Sequence, residues 1–501
     1  MGLSSVVNGF RTHGRRALAR RIGIDTRTLA VFRISIGLVL LSDLLLRSRN
    51  LVVFYTDSGV LPRAVLEAQF PDMSRLTFHT LSGAVWFQAT LFIVAAIFAV
   101  SMIVGYRTRI STVFSFVLLM SLQFRNPTLL NSGDFLLWRL LLWSLFLPLG
   151  ERWSVDALRS DGHDRRIANV ATAGILAQVV IVYVANALFK LRGDLWLQGL
   201  AVRYVFSLHS LTTPVGDLLA NYPPLLVLFD KLWLAMVVTS VLLLLLTGWA
   251  RAAFVSLFVA MHFGMLLTMH LSIFPLVSIT ALILFLPSVV WDALARFSKS
   301  HTESLDTARW RRRFERTSPV VSTPEIPTSV FKWIRRAVSL VAACLLVSVL
   351  VWNAATLGYV QTPDSVNEVA NPVAHRWSMF APEPWGTDGW FVVPGTLESG
   401  RRVDAFRQSS VRWERPSDAS LGFPTHRWQK YLLAVQSSGY WRLPPAFTRY
   451  VCRQWNESHD DDLVNVSVYY VRQPTNLDGE EPTHRVKITD RSCGTRNQVS
   501  G

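Results

Sequence analysis

Basic side chains stand at points where the chain is otherwise apolar. Lys190 ends an apolar run that begins near residue 167, and Arg192 follows it closely. His262 and His270 belong to a second apolar run and are eight residues apart, which would place them on nearly the same side of a helix. A desolvated lysine can act as a base, and a histidine can accept or donate a proton. These positions predict acid–base chemistry at a membrane site.

The same residues have structural interpretations. The stem of Lys190 could lie along apolar surface while its ammonium reaches the interface, as that of Arg192 would. His262 could be a hydrogen-bonded packing residue of the membrane interior. A metal site would need more ligands than the sequence places near these histidines, so we expect no metal. The residues alone leave the catalytic and anchoring hypotheses open.

Apolar segments of membrane-spanning length must position these side chains. The 501-residue chain is 51% hydrophobic and only 17% charged, a composition typical of membrane proteins. The predicted fold class is an all-α polytopic membrane bundle of about nine transmembrane helices with a small extracytoplasmic α+β C-terminal domain. The predicted spans lie near residues 28–46, 84–104, 110–125, 135–149, 168–189, 225–248, 252–270, 273–291 and 337–358.

The distribution of charge predicts the orientation and argues against nucleic-acid binding. The net charge is +16, but it is concentrated beside the apolar runs. Residues 1–27 carry six basic residues and one acid, residues 292–336 carry ten and five, and residues 360–501 carry sixteen of each. Basic excess confined to such loops is the positive-inside pattern of integral proteins of the cell membrane. It predicts a cytoplasmic N-terminus and, with nine spans, an extracytoplasmic C-terminal domain.

The sequence divides into five predicted parts. Residues 1–27 form a basic cytoplasmic arm, 28–291 the main transmembrane bundle, 292–336 a basic cytoplasmic linker, 337–358 the final helix and 359–501 the extracytoplasmic domain. Within the last part, segments around 391–394, 402–406 and 464–471 have strand character, and 428–435 is a candidate helix.

The C-terminal domain carries features compatible with an extracytoplasmic place. Cys452 and Cys493 both lie in it and are candidates for a disulfide. Asn456 and Asn465 head Asn-X-Ser sequons and are candidate glycosylation sites. Whether either modification occurs is open.

Two outer loops combine turn-forming residues with charges. The first contains Tyr55, and the second ends on Asp134 at the start of the fourth helix. Asp134 could orient a ligand or cap that helix. Asp43 and Arg47 have the i, i+4 spacing of an ion pair. Asp230 and Lys231, near a helix end, are more consistent with a salt bridge or snorkelling.

The chain resembles the HTTM (horizontally transferred transmembrane) family, which includes the vitamin K-dependent gamma-carboxylase. The segment Val182–Trp196, VYVANALFKLRGDLW, is similar to the family segment that ends in the catalytic lysine, and Lys190 falls on that lysine. Further similarity lies in Trp153–Asp156, in the helix of His262 and in the loop Tyr55–Gly59, and the resemblance covers roughly residues 20–295.

The resemblance implies a mechanism. A neutral Lys190 would deprotonate a reduced vitamin K-type quinone, whose oxygenation yields a base strong enough to remove a glutamyl proton before carbon dioxide adds. Lys190 and His262 would be the catalytic residues of this lyase. We expect Tyr55, Asp134, Arg192 and His270 to bind the quinone or the substrate, an exported protein or peptide.

This chain departs from the carboxylase pattern. Gly133 stands where the carboxylase has a functional histidine, Phe189 replaces one of its two adjacent lysines, and the C-terminal part resembles those of prokaryotic relatives. An alternative is therefore a non-catalytic protein that binds or moves a membrane lipid or small molecule, or gives immunity to a toxin.

Overall fold

A computed structural model describes Gly14 and residues 16–159, 164–299, 328–369, 376–416 and 422–494. Most of the predicted arm (1–13 and 15) and of the predicted linker (300–327) lies outside the described residues. The described chain is mainly helical with a small C-terminal sheet.

The N-terminal part is built from long helices joined by short ones. Its elements are β1 (Ile24–Asp25), α1 (Thr26–Ser48), α2 (Leu51–Tyr55), α3 (Arg63–Gln69), α4 (Pro71–Arg75), α5 (Val85–Val104), α6 (Thr108–Arg125), α7 (Ser132–Ser144), β2 (Arg166–Ile167), α8 (Val170–Lys190), α9 (Asp194–Gln198), α10 (Ala201–Phe206), α11 (Pro214–Ala220), α12 (Pro223–Val238), α13 (Leu242–Leu245), α14 (Gly248–Thr268), α15 (Phe274–Ile283), α16 (Ser288–Lys299), α17 (Thr328–Thr356) and α18 (Asp364–Val369).

The helices of the described residues include five that are long and apolar enough to cross a membrane: α1, α5, α8, α14 and, from Lys332, α17. The pairs α11–α12 and α15–α16 also qualify if each counts as one bent span, which gives up to seven. α7 has 13 residues and is not among these candidates. The protein is thus a multispanning membrane protein by composition, and the count of nine spans remains a prediction.

Proline accounts for both sharp bends between paired helices. α15 and α16 meet at an 89° bend that contains Pro287, and α11 and α12 meet at a 104° bend before Pro223 and Pro224. Proline lacks a backbone donor and disfavours helical geometry at the preceding residue, so each bend falls where one helix cannot run on. The predicted run 273–291 is therefore two helices.

One end of the bundle is held by contacts between segments far apart in sequence. Arg27 forms salt bridges with Asp25 and Asp292 at 2.9 and 2.8 Å. The indole of Trp291 donates to Thr28 Oγ1 at 2.7 Å, and Arg251 donates to the carbonyl of Arg21 at 2.9 Å. These contacts bring the segments expected to face the cytoplasm to the same end of the bundle.

The C-terminal part packs against the opposite end. Its five-stranded antiparallel sheet has the order β3-β6-β4-β5, with β7 on β6. The longer of its two helices packs against two strands of the sheet, and Cys452 and Cys493 form a disulfide. The elements are β3 (Thr387–Val392), β4 (Pro394–Leu397), β5 (Arg402–Asp404), α19 (His426–Gln436), α20 (Leu443–Ser458), β6 (Leu463–Pro474) and β7 (His484–Ser492).

Candidate functional site: a cavity between the bundle and the C-terminal domain

A cavity of about 560 Å³ lies where the bundle meets the C-terminal domain. Its walls are mainly apolar and come from α8, α12, α14, the loop before α15, and the segment that precedes β3. Polar side chains of the lining include Asn131, Asn186, Lys190 and His262 from the bundle, and His426, Gln429 and Lys430 from α19. A volume of this size suits a small-molecule ligand.

Lys190 is buried rather than directed to solvent. It is the last residue of α8, and only 1% of the residue is exposed. Its amine lies 2.9 Å from the centroid of the Trp196 ring, and the carboxylate of Asp230 interacts with it electrostatically. The ring and the carboxylate stabilise a positive charge, whereas the apolar walls favour the neutral amine. This burial does not fit a snorkelling anchor.

Trp196 is fixed in this position by the chain that precedes the sheet. Its indole nitrogen donates to the carbonyl of Phe380 at 2.8 Å. Asn186, one helical turn before Lys190, donates to the carbonyls of Trp377 and Met379 at 3.3 and 3.1 Å. The sequence around Lys190 therefore carries the residues that close the cavity over it.

His262 lies in the interior of α14 and has no exposed surface. Its Nδ1 is 2.9 Å from the carbonyl of Phe258, whereas its buried Nε2 has no hydrogen-bond partner in the described chain. The rings of Tyr183, Trp233 and Phe274 surround the imidazole at 5.5 to 6.0 Å between centroids. The unpaired nitrogen is available to a ligand in the cavity.

Asp134 and Tyr55 lie in a separate buried ion cluster. Arg47 donates to Asp43 at 2.7 Å, to Asp134 at 2.6 Å and to the Tyr55 hydroxyl at 2.8 Å. Arg427, from α19, donates to Asp43 at 2.7 Å and to Asp134 at 2.9 Å. The expected Asp43–Arg47 pair is confirmed, while Asp134 and Tyr55 do not line the cavity.

The capping interpretation of Asp134 also has a counterpart in the structure. Asn131 is the N-cap of α7, and its Oδ1 accepts from the backbone nitrogens of Gly133 and Asp134. Asp134 occupies the third helical position and accepts from the Asn131 nitrogen at 2.9 Å. Asp134 thus completes a capping box as well as the ion cluster.

Four further polar residues singled out in the sequence, Arg192, His270, Asp230 and Lys231, do not line the cavity. Arg192 is exposed and donates to the carbonyl of Leu357 at 3.4 Å. α14 ends at Thr268, so the exposed His270 lies beyond the helix instead of on the face of His262. Lys231 donates to the carbonyl of Leu197, while Asp230 accepts from the nitrogen of Val202.

The two sequons occupy different environments. The side chain of Asn456 accepts from the nitrogen of Leu463 at 2.8 Å and donates to the carbonyl of Gly494. Asn465 is exposed on β6. Asn465 is therefore the more accessible of the two acceptors.

Sequence reasoning missed the contribution of α19 to the cavity. His426 and Lys430 are one helical turn apart and share a face, while Arg427 faces the ion cluster. The segment 428–435 was recognisable as a helix, but a helix whose basic residues face inward has no distinguishing signal in its composition. Arg427 faces inward because its buried partners, Asp43 and Asp134, lie on α1 and α7.

The model of the HTTM domain family matches residues 22–291, more than half of the chain. No curated protein and no solved structure gives a match. Lys190 and His262 fall within the matched residues, whereas α19 lies beyond them.

Proposed function

Because the chain belongs to the HTTM domain family, we propose that it is a membrane enzyme in which Lys190 acts as a base on a reduced vitamin K-type quinone. The observation that carries this proposal is that Lys190 and His262 line the same predominantly apolar cavity. His262 is the second polar group that the ligand head would meet. The activity proposed is carboxylase-like, on an exported substrate that reaches the cavity from the side of the C-terminal domain.

The surroundings of Lys190 suit a base. A base must exist in both protonation states within the site, and here apolar walls oppose the charge that Asp230 and the Trp196 ring stabilise. A simple anchor would instead place its ammonium in water. The exposed Arg192, two residues later, has the character of an anchor.

The cavity walls also suit a quinone. Aromatic and aliphatic side chains form most of the lining, and the unpaired Nε2 of His262 offers one polar contact. When bound, a reduced quinone would supply the oxidisable group whose reaction with oxygen drives removal of a proton from the second substrate. Leu257, on the membrane-facing helix α14, lines the cavity and is 37% exposed. We infer a lateral entry from lipid beside this residue.

The packing around Gly133 leaves no room for the histidine that the carboxylase has at this position. A Cβ atom at this position would lie 2.8 Å from the Cα atom of Phe274, closer than packed carbon atoms approach. A histidine would therefore displace the start of α15. Phe274 lines the cavity beside His262, so the reaction proposed here proceeds without a histidine at residue 133.

The apolar walls and the inferred lateral entry also favour a second candidate, a non-catalytic protein that binds or moves a lipid or small molecule, or protects the membrane against a toxin. This function needs the volume and the apolar lining but no neutral amine. Replacement of Lys190 by methionine would leave it largely intact, whereas the enzyme would lose its base.

The direct test is incorporation of labelled bicarbonate into a glutamate-rich peptide. Membranes holding the protein are mixed with reduced vitamin K, oxygen and the peptide, beside Lys190→Ala and Lys231→Ala variants. Lys231 is an exposed lysine on α12 that does not line the cavity, so it is a matched control. We expect acid-stable label with the wild type and Lys231→Ala but none with Lys190→Ala. Absence of label in all three, with the proteins folded, would overturn carboxylation.

A further inference from the structure

Apart from the phenol of Tyr183, the ionisable side chains that line the cavity are bases. They are Lys190, His262, His426 and Lys430, and the lining residues among the described chain include no aspartate or glutamate. Lys190 has Asp230 as an electrostatic partner. Lys430 has no salt bridge within the described residues, and its ammonium lies 5.7 Å from the centroid of the Trp385 ring. The positive charge at the α19 end of the cavity is thus not paired.

The carboxylates near Lys430 do not neutralise its charge, because arginine side chains already bind them. Burial lowers the pKa of Lys430, as does Arg427, whereas Asp134 acts in the opposite direction. Both oxygens of Asp134 accept hydrogen bonds from Arg427. Asp43 is held by Arg47 and Arg427. The two aspartates and two arginines balance one another, so neither carboxylate is left to neutralise Lys430.

Polar atoms without partners gather at the same end. Asn131 is 9% exposed, and its Oδ1 is used by the cap of α7, while its buried Nδ2 has no partner in the described chain. The buried Nδ1 of His426 is likewise unpaired. Burial lowers the pKa of His426 to about 3, with Lys430 and Arg427 acting in the same direction. A neutral imidazole retains one N–H that can donate.

We propose that Asn131, His426 and Lys430 form a subsite for an oxyanion, either a carboxylate or a phosphate, on a second ligand of the cavity. An ammonium and an amide donor are the groups that stabilise such an anion by charge-assisted hydrogen bonds. Gln429 lines the cavity beside them, but its Nε2 donates to the carbonyl of Ser210 at 3.4 Å. This subsite goes beyond the proposed function and does not depend on Lys190 being a base.

The anion could belong to an apolar chain or to a small free molecule, and binding measurements separate these sources. The probes are radiolabelled hexadecanoate, with hexadecyl phosphate, hexadecanol, acetate and inorganic phosphate as competitors. They are applied to the purified full-length protein in a neutral detergent. We expect the two long-chain anions to compete and hexadecanol to compete at least tenfold less well. Competition by acetate or phosphate at similar concentrations would instead assign a free oxyanion to the same subsite.

Variants locate the binding. Lys430→Met should weaken binding of whichever anion competes in that measurement roughly ten- to a hundredfold, the loss expected for a charged hydrogen bond. Lys430→Arg should retain most of the binding. Lys487→Met, at an exposed lysine of β7, is the control and should bind as the wild type does. Equal competition by hexadecanol, or unchanged binding in a folded Lys430→Met variant, would overturn the subsite.

The outcome is separable from that of the proposed function. Lys190→Ala should abolish labelled-bicarbonate incorporation yet retain binding of the anion, since the two lysines lie on different elements. Anion binding without carboxylation would sustain the subsite and remove the carboxylase hypothesis. Carboxylation without selective anion binding would support the carboxylase hypothesis and overturn the subsite.

Discussion

Arg427 and Asp134, 293 residues apart, form a buried bidentate ion pair between the C-terminal domain and the bundle. Nη1 of Arg427 lies 2.9 Å from Oδ2 of Asp134, and Nη2 lies 3.1 Å from Oδ1. The same guanidinium reaches Asp43 and the carbonyl of Leu129. One side chain of α19 therefore fixes the helix that brings His426 and Lys430 to the cavity.

Replacement of Arg427 by methionine should release the C-terminal domain. Removing one member of a buried ion pair leaves uncompensated charge and costs about 3–5 kcal/mol. We expect a lower melting temperature and faster cleavage by trypsin between α18 and α19. Arg449→Met, at an exposed arginine of α20, should match the wild type. An unchanged melting temperature in Arg427→Met would show that the ion cluster does not hold the domain.

The loop between α2 and α3 should become acid-sensitive through Asp57. Burial raises the pKa of this carboxyl, but hydrogen bonds from the side chain and backbone of Arg63 outweigh burial and leave the pKa below its ordinary value. Its stabilising effect is present above the unfolded pKa of about 3.9 and is lost as pH falls through the lower folded pKa. The melting temperature of Asp57→Asn should therefore lie below that of the wild type at neutral pH.

The same comparison at low pH provides the check. As pH falls below about 3.9, the difference between wild type and Asp57→Asn should shrink, because the wild-type carboxyl becomes protonated. Both proteins should be measured in one detergent at matched ionic strength. A difference that stays constant or grows on acidification would contradict the role assigned to the Asp57–Arg63 pair.

The predicted orientation can be tested with single cysteines. In a Cys344→Ala background, a cysteine at Ser438 of the C-terminal domain should react in intact cells with a maleimide that does not cross membranes. Arg109→Cys, in a loop predicted to be cytoplasmic, should react only after the cells are opened. Both positions are exposed, so burial does not account for a difference. The opposite pattern would invert the topology.

The bundle was more predictable from sequence than the site. Apolar runs and a basic N-terminus predict membrane helices, because a segment that spans the membrane must satisfy its backbone hydrogen bonds internally. Lys190, His262 and the Asp43–Arg47 pair could be recognised as candidate functional residues, because a charged group within an apolar run is costly in free energy. Pro287 and Pro223 were equally visible, yet their effect on the direction of the chain depends on the neighbouring helices.

The residues at the domain junction could not be assigned in advance. Arg427, His426 and Lys430 lie in a segment of ordinary polarity, and their burial is set by contacts with α1 and α7 hundreds of residues earlier. Tyr55 and Asp134 were expected to bind a ligand because of the composition of their loops. Loop composition does not reveal that both side chains accept hydrogen bonds from Arg47. Long-range packing decides which polar residues reach a cavity.

The central claim is that Lys190 serves as a base, and replacement by arginine tests it most directly. Arginine keeps the charge and length of an anchor but stays protonated. Oxygen-dependent consumption of reduced vitamin K is measured in membranes holding equal amounts of wild type, Lys190→Arg and Lys231→Arg. We predict consumption by the wild type and Lys231→Arg, and a loss to background in a folded Lys190→Arg protein. Full activity in Lys190→Arg would contradict the claim.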